Sequence, residues 1–144
     1  MSGQDENSAA KRRARLRAIA EAYFEALRTK NFDAIPYHED ATVRAPFAPG
    51  GVNRPLVGKE ALRAKWWQPL EPALEGMKIT VLDHYINEAM TGIVTEAEIE
   101  VNIVEPSITL RVADRFTVNE EGQILEQENH FDPRDVTHPG WQNT

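Results

Sequence analysis

The first part of the chain carries apolar residues at the spacing of a helix with one buried face. Apolar positions recur at i, i+3, i+4 and i+7, which is the pattern of an amphipathic helix. They are Leu16, Ile19, Ala20, Tyr23, Phe24 and Leu27. Ser8 can cap this helix, residues 1–7 are expected to fray before it, and Asn31 ends it.

A short strand, a loop and a second helix are predicted next. After one helical turn at residues 32–35, residues 41–45 alternate between apolar and polar and indicate a strand. Residues 46–55 are dense in proline and glycine and form a loop. A second long helix begins at Gly58, is interrupted at its far end by Pro69 and Pro72, and stops at Gly76.

The rest of the chain alternates with period two, as strands with one buried face do. The strand segments are residues 77–86, 92–104, 108–118 and 123–132. Helices followed by antiparallel strands indicate an α+β domain. We predict a cone-shaped, curved antiparallel sheet with helices packed on its concave face. A single domain covers residues 1–144 and ends in a tail at residues 136–144.

One charged residue shares the apolar face of a strand. Asp114 alternates in step with Ile, Leu, Val and Phe across residues 108–118, so its carboxylate points toward the core. An unpaired buried charge is costly, so such a group is hydrogen-bonded, protonated or functional. Two interpretations stay open, a structural aspartate at the edge of the core or a carboxyl group that takes part in chemistry.

Hairpin geometry predicts the neighbours of Asp114 on the preceding strand. A two-residue turn at Pro106 sets Ile99 opposite Asp114 and pairs Glu98 with Arg115 on the outer face. The inward-facing residues of that strand are then Ala97, Ile99, Val101 and Ile103.

The last strand can bury either of two sets of residues. One set sends Glu126 and Glu128 into the core, which the cost of burying charge disfavours. We therefore adopt the set Leu125, Gln127, Asn129 and Phe131. In this register Gln127 lies opposite Asp114, and Asn129 is one diagonal away.

These assignments place a few polar groups inside an apolar wall. The polar set is Asp114, Gln127, Asn129, Thr95 and, from the first helix, Tyr23. The apolar walls are Trp66, Trp67, Phe47 and Phe131. Such a pocket is typical of a small-molecule site. The alternative is that Gln127 and Asn129 only satisfy Asp114 within the core.

A carboxylic acid in apolar surroundings has a raised pKa and can donate a hydrogen bond at neutral pH. Asp114 could then stabilise an oxyanion or act as a general acid or base, with Tyr23 as second donor.

The loop at residues 46–55 and Trp141 are candidates for closing the pocket. His38 is either a surface loop residue or a further substrate-binding group. The four histidines lack the spacing of a zinc site, so we predict no metal. The sequence has no glycine-rich phosphate loop and no dinucleotide fingerprint, and we predict no cofactor.

The composition and net charge of the chain disfavour some classes of binding partner. The chain of 144 residues has 16 Lys and Arg against 23 Asp and Glu, a net charge of −7, which opposes binding to nucleic acid or an anionic membrane. The basic cluster at residues 11–17 is interpreted as a solvated helix face, with a nucleic-acid arm as the alternative. The absence of cysteine fits a cytoplasmic protein. No apolar run reaches the ~20 residues of a membrane span.

The sequence resembles the nuclear-transport-factor-2-like superfamily, in particular its SnoaL-like and ketosteroid-isomerase-like members. The resemblance covers roughly residues 12–135. It rests on Ala22-Tyr23-Phe24-Glu25-Ala26-Leu27, Asp40-Ala41-Thr42-Val43, Gly58-Lys59-Glu60-Ala61-Leu62, Asp114-Arg115-Phe116 through Gly122-Gln123-Ile124, and Glu128-Asn129-His130-Phe131-Asp132. It implies a homodimer packed through the outer face of the sheet.

The resemblance also implies roles for single residues. Tyr23 falls where ketosteroid isomerases place an oxyanion-hole tyrosine, Asp114 on their protonated aspartic acid, and Trp66 on a supporting tyrosine. Ala45 takes the position of their general-base aspartate, so steroid isomerisation is not expected. The positions of the Asp-Arg-Asp set of limonene-epoxide-hydrolase-like relatives hold Ile99, Ala97 and Asn129, so that chemistry is not expected either.

The predicted function is that of a cofactor-independent SnoaL-like enzyme. Its substrate would be a small apolar carbonyl compound, and the reaction an isomerisation, cyclisation or dehydration by acid/base catalysis. The cluster of polar residues on the inner face favours this hypothesis. The alternatives are a non-catalytic binding module, which Ala45 favours, and a dimerisation module whose cavity is filled by side chains.

Overall fold

A long helix opens the protein, whose computed structural model describes residues 2–137 and the side chains of residues 6–136. This helix, α1 (Ser2–Thr29), begins before the predicted cap at Ser8 and is followed by a 3-10 turn (Phe32–Ala34). Its buried face holds the apolar residues that the helical spacing predicts, together with Ala26. No helix among residues 2–137 has the length and apolar content that crossing a membrane requires.

The second helical segment changes geometry along its length. A short α2 (Lys59–Leu62) passes into a π-helical turn (Arg63–Trp67), then into α3 (Gln68–Leu70) and a 3-10 turn (Glu71–Leu74). The predicted helical segment is therefore present, but its geometry already changes at the π-helical turn, before the interruption that was predicted at Pro69 and Pro72. Prolines at positions 69 and 72 have no N–H to donate, so a regular α-helical ladder cannot continue through them.

Six strands form one open sheet in the order β2-β1-β6-β5-β4-β3. The strands are β1 (Tyr37–Arg44), β2 (Leu56–Val57), β3 (Lys78–Ile86), β4 (Gly92–Val101), β5 (Ile108–Val118) and β6 (Ile124–His130). The predicted α+β class is confirmed. The sheet is mixed, because β1 and β6 pair in parallel whereas the other neighbours are antiparallel. A last short helix, α4 (Arg134–Thr137), follows β6.

The register between β4 and β5 corrects the hairpin prediction. Thr95, and not Ile99, lies opposite Asp114. On the outer face Glu98 pairs with Arg111, at 3.0 Å between Oε1 and Nη1, instead of with Arg115. The shift is an even number of residues, so side chains within the strands keep their predicted faces.

A loop replaces the predicted two-residue turn between these strands. β4 ends at Val101, and Asn102 leaves the ladder to donate from its Nδ2 to the Gly76 carbonyl oxygen at 2.8 Å. Ile103, predicted to face inward, lies in this loop and is 50% exposed.

A bulge in the β5–β6 pairing corrects the last strand. Asp114 lies opposite Asn129, and not opposite Gln127. The register shifts between Thr117 and Val118, so that Ile124 is buried while Leu125, predicted to be buried, is only partly so. Beyond the bulge the predicted parity holds, and both amide side chains are buried.

The basic cluster on α1 is partly structural. Arg12 donates to the backbone carbonyl oxygens of Met90, Val118 and Asn119 at 2.9, 2.9 and 3.0 Å. These carbonyls belong to the ends of two hairpins, so Arg12 fixes α1 against the sheet. The interpretation of residues 11–17 as a wholly solvated face is wrong at this position.

Candidate functional site

A cavity of about 300 Å³ lies between the helices and the inner face of the sheet. Its walls are mostly apolar, and three of the predicted polar residues, Tyr23, Asp114 and Asn129, line it. Asp114 and Tyr23 are its titratable residues among the side chains that the structure describes. The cavity therefore has a polar patch within an apolar wall, as the sequence predicts.

The π-helical turn brings two consecutive tryptophans into the interior. Trp66 lines the cavity, and its ring lies 6.4 Å from that of Tyr23, with 13° between the planes. Trp67 is buried outside the lining and packs on Phe32, at 5.5 Å between ring centroids. Because residues in an α-helix follow at about 100°, the wider π turn helps both rings to lie inside.

Aromatic and aliphatic groups surround the opening of the cavity. Phe47 lines it, is 55% exposed, and packs on Phe131 at 5.6 Å between ring centroids. Val136 of α4 is a further lining residue. Sequence patterns did not single out Val136, and Trp141, predicted to help close the pocket, falls outside the described residues.

Asp114 is almost completely buried, with 3% of its surface exposed. Its Oδ1 has no hydrogen-bond partner among the described residues. Burial raises the pKa of Asp114 to about 8, because the charged form loses its hydration. At neutral pH the carboxyl group is therefore mostly protonated and can donate a hydrogen bond.

Tyr23 brings a second neutral donor to the same place. Burial, then the nearby Asp114 carboxyl and Tyr37 hydroxyl, raise the pKa of Tyr23 well above its ordinary value. Hydrogen bonding by Asn129 and Gln127 acts in the opposite direction and lowers this pKa. The raising effects are the larger ones, so the phenol keeps its proton.

Tyr37 is a buried member of the polar cluster that the sequence analysis did not select. Its hydroxyl donates to Gln127 Oε1 at 2.6 Å, and Gln127 Nε2 donates to Asn129 Oδ1 at 3.1 Å. Burial, followed by the Asp114 charge, raises the pKa of Tyr37 well above its ordinary value. Parity did not identify it, because Glu39 at the same parity is exposed and the pairing with β6 shifts register between Tyr37 and Thr42.

Several other predicted site residues lie outside the lining of the cavity. Gln127 is fully buried behind Asn129, and Thr95 is buried with its Oγ1 2.8 Å from His84 Nδ1. His38 lies in β1 and not in a loop, and its Nδ1 accepts from the Asp40 backbone N–H at 3.0 Å. Strand alternation turns it away from the inward side of the adjacent Tyr37.

Ala45 lines the cavity at the position where the resemblance places a general base. Asp114 and Tyr23 are thus the groups that the described lining offers for proton transfer. Within residues 2–137, no group of three or more His, Cys, Asp or Glu residues is arranged to hold a metal ion.

A family model for the SnoaL-like domain matches residues 20–127. The chain belongs to this family. The assignment agrees with the resemblance seen in the sequence and with the sheet and helices described above. A comparison of this SnoaL-like chain with curated proteins gives no match.

Solved structures share the fold. The epoxide hydrolase/cyclase-like enzyme SalBIII, described for pyran ring formation in the polyether salinomycin, aligns with a TM-score of 0.69 at 21% identity, over 88% of this chain and 95% of its own. A steroid delta-isomerase from Pseudomonas aeruginosa aligns with a TM-score of 0.61 at 18% identity, over 90% and 85%. A Mycobacterium tuberculosis protein, in complex with estradiol-17β-hemisuccinate, aligns with a TM-score of 0.65 at 9% identity, over 82% and 94%.

Proposed function

We propose that this SnoaL-like protein is a cofactor-independent acid/base enzyme that acts on a small, largely apolar carbonyl compound. The observation that carries the proposal is Asp114, a buried carboxyl group in the cavity wall with an unpartnered Oδ1 and a pKa of about 8. A strongly perturbed pKa inside a cavity marks a candidate functional group. The apolar lining suits the rest of the substrate.

The two donors suit a carbonyl oxygen. Tyr23 and protonated Asp114 both line the cavity, so an oxygen placed between them accepts two hydrogen bonds. As negative charge develops on that oxygen, donors in a dry site stabilise it more strongly than water does. This arrangement lowers the barrier to addition at the carbonyl carbon.

The alanine at position 45, where a general base would stand, restricts the reactions that the site supports. Without a second carboxylate in the described lining, Asp114 must both give and receive the proton. It passes its proton to the carbonyl oxygen while a hydroxyl of the same substrate adds to the carbonyl carbon. The hydroxyl proton then returns to Asp114, which regenerates the acid. This balance favours cyclisation to a cyclic hemiketal, or the reverse ring opening, over an isomerisation that needs a separate base. The ring formation described for SalBIII supports the same choice.

The test is turnover of a panel of hydroxyketones by wild type, Asp114→Asn and Tyr23→Phe, followed by mass spectrometry and chromatography. Asp114→Asn should lose about 10²–10⁴-fold in kcat, because the amide keeps the shape but cannot transfer a proton. Tyr23→Phe should lose about 10²-fold or more as one oxyanion donor disappears. Glu98→Gln, on the outer face, is the control and should leave kcat unchanged. Full activity in Asp114→Asn would refute the assignment.

A second candidate function is non-catalytic binding of the same class of molecule. The alanine at position 45 favours it, because the cavity then lacks a separate base. In that case wild type binds carbonyl compounds without converting them, and Asp114→Asn changes affinity alone. Parallel measurement of binding and turnover separates the two functions.

A further inference from the structure

We propose that the cavity also binds small apolar amines, as ammonium ions whose counter-ion is the carboxylate of Asp114. Such a ligand has its charged nitrogen at one end and a hydrocarbon body at the other. The inference rests on the cavity being a ligand site, as proposed above, and is independent of the reaction proposed there. Amine binding uses the ionised form of Asp114, whereas the reaction starts from the protonated form.

Asp114 lies at one closed end of the cavity. On β5 the lining residues are Leu110, Val112 and Asp114. The next inward residue, Phe116, is fully buried outside the lining, and so is Gln127 opposite it on β6. From Leu110 to Asp114 the strand rises about 13 Å. A ligand therefore meets the carboxyl group with one end and the aliphatic wall with its length.

The carboxyl group at that end offers a hydrogen-bond acceptor to a ligand. Asp114 is only 3% exposed, and its Oδ1 has no partner among the described residues. A buried polar atom without a partner costs the folded state free energy, and a donor on a ligand removes that cost. An ammonium N–H is a strong donor for this oxygen, because a charge-assisted hydrogen bond is roughly twice as strong as a neutral one.

The walls of the cavity also suit a cation. Four aromatic side chains line it, those of Tyr23, Phe47, Trp66 and Phe131. The face of an aromatic ring attracts an ammonium ion, most strongly for tryptophan and away from water. The described lining residues include no Lys, Arg or His, so none of them repels a cation or neutralises the carboxylate. The net charge of −7 further favours cations near the protein.

Amine binding is coupled to the loss of one proton from Asp114. Burial raises the pKa of Asp114 to about 8, so near pH 6 the carboxyl group holds a proton, whereas a free alkyl amine is already an ammonium ion. The acid and the ammonium ion form a carboxylate–ammonium pair, and the acid proton passes to solvent. Affinity for the amine therefore rises with pH, by about tenfold for each unit between pH 5.5 and 7, and levels off above the pKa of about 8.

The groups that surround Asp114 on neighbouring elements stay uncharged over this range. Tyr23 of α1 and Tyr37 of β1 have pKa values that burial, as the first cause, raises well above the ordinary value. The residues opposite Asp114 on the two adjacent strands are Thr95 and Asn129, which do not titrate.

A histidine lies one strand further out. His84 of β3 is opposite Thr95, with its Nδ1 2.8 Å from Thr95 Oγ1 and its Nε2 2.9 Å from Glu21 Oε1 of α1. A neutral ligand of the same shape and a variant of Asp114 are therefore needed to separate ionisation of Asp114 from that of His84.

The experiment compares 1-aminotetralin with 1-tetralol, an uncharged molecule with the same carbon skeleton, by calorimetry from pH 5.5 to 7.5. In wild type, affinity for the amine should rise about tenfold for each unit between pH 5.5 and 7, and affinity for the alcohol should change by less than about threefold. Titrations at pH 6.5 in buffers of different ionisation enthalpy should show about one proton released per amine bound and none per alcohol.

Variants assign the released proton and the counter-ion. Asp114→Asn should weaken amine binding at pH 7.5 by about 100-fold or more and abolish proton release, because a buried ammonium ion then lacks its partner. Alcohol binding should change by less than about threefold. Glu98→Gln on the outer face makes the same change of net charge and should leave amine binding unaltered. Trp66→Leu should weaken amine binding about threefold or more beyond its effect on alcohol binding.

The outcomes separate this inference from the proposed function. Amine binding no tighter than alcohol binding at pH 7.5, binding without proton release, or binding that survives Asp114→Asn would overturn the inference. Turnover of hydroxyketones that Asp114→Asn abolishes, without amine binding, would support the proposed function alone. Amine binding with proton release, in a protein that converts no hydroxyketone, would support the inference alone. If neither ligand binds and no hydroxyketone is converted, both fall.

Discussion

A buried carboxyl group without a full set of partners costs the folded state free energy. Asp114 carries that cost, since its Oδ1 is unpartnered and its pKa is raised to about 8. A hydrophobic side chain at this strand position would serve packing better, as Val112 and Phe116 do on either side. The residue is therefore better explained by a ligand or a reaction than by stability.

Stability should fall with rising pH because of this residue. In the unfolded chain Asp114 ionises near pH 4, whereas in the folded protein it ionises near pH 8. Between these values the folded state holds a proton that the unfolded state has lost, so the free energy of unfolding decreases as pH rises and levels off above pH 8. Asp114→Asn does not titrate and should escape this decrease.

Urea denaturation at pH 4, 6 and 8.5 measures the effect. The difference in stability between Asp114→Asn and wild type should move in favour of the variant across this window, by an amount on the order of several kcal/mol. Glu98→Gln on the outer face controls for the loss of a carboxylate as such. Parallel pH profiles for Asp114→Asn and wild type would mean that the folded protein holds Asp114 ionised.

Alternation along a strand was enough to place some residues of the site and not others. It placed Asp114 and Asn129 on the inner face. This assignment holds although the strand pairing differs from the predicted register, because a register shift by an even number of residues keeps each side chain on its face. It could not predict which residues touch, since contacts depend on the loop after β4 and the bulge in the last hairpin. Tyr37 was missed because β1 begins before the stretch of clear alternation.

At the scale of elements, a partly buried connection joins α1 to the ends of two hairpins. Arg12 donates to three carbonyl oxygens at the ends of β3–β4 and β5–β6 hairpins. No sequence pattern identifies this contact, because the partners are backbone atoms far along the chain. The alternating pattern likewise continues to Ile103, although the strand ends at Val101.

Removing the Arg12 guanidinium should therefore weaken the docking of α1. Arg12→Ala leaves partly buried carbonyl groups with fewer partners, and the free energy of unfolding should drop by about 1–3 kcal/mol. Arg13→Ala, at the adjacent exposed position, should change it by less than about 0.5 kcal/mol. Chemical denaturation of the two variants at one pH compares them directly. Equal effects would show that the charge of the cluster matters and the contacts of Arg12 do not.

At the scale of the whole molecule, the helices cover one face of the sheet. The other face is not covered by the helices described above and carries charged side chains. Glu98 and Arg111 on that outer face keep 43% and 68% of their side-chain surface exposed. The curvature of the sheet, which sets the size of the cavity, also depends on long-range packing that periodicity does not encode. The sequence therefore predicted the existence of a cavity and not its dimensions.

The outer face is where we expect a second copy of the chain. A two-fold interface brings one surface against itself, so it must carry groups that complement each other. The outer face carries both signs of charge, with Glu98 and Arg111 side by side in the ladder.

We therefore expect sedimentation to show a dimer of wild type. Arg111→Glu should raise the dimer dissociation constant by about tenfold or more, because the face then loses a positive group that complements its carboxylates. Arg13→Glu on α1 makes the same change of charge elsewhere and should leave it unaltered. A wild-type monomer at every concentration, or equal effects of both variants, would place no interface on this face.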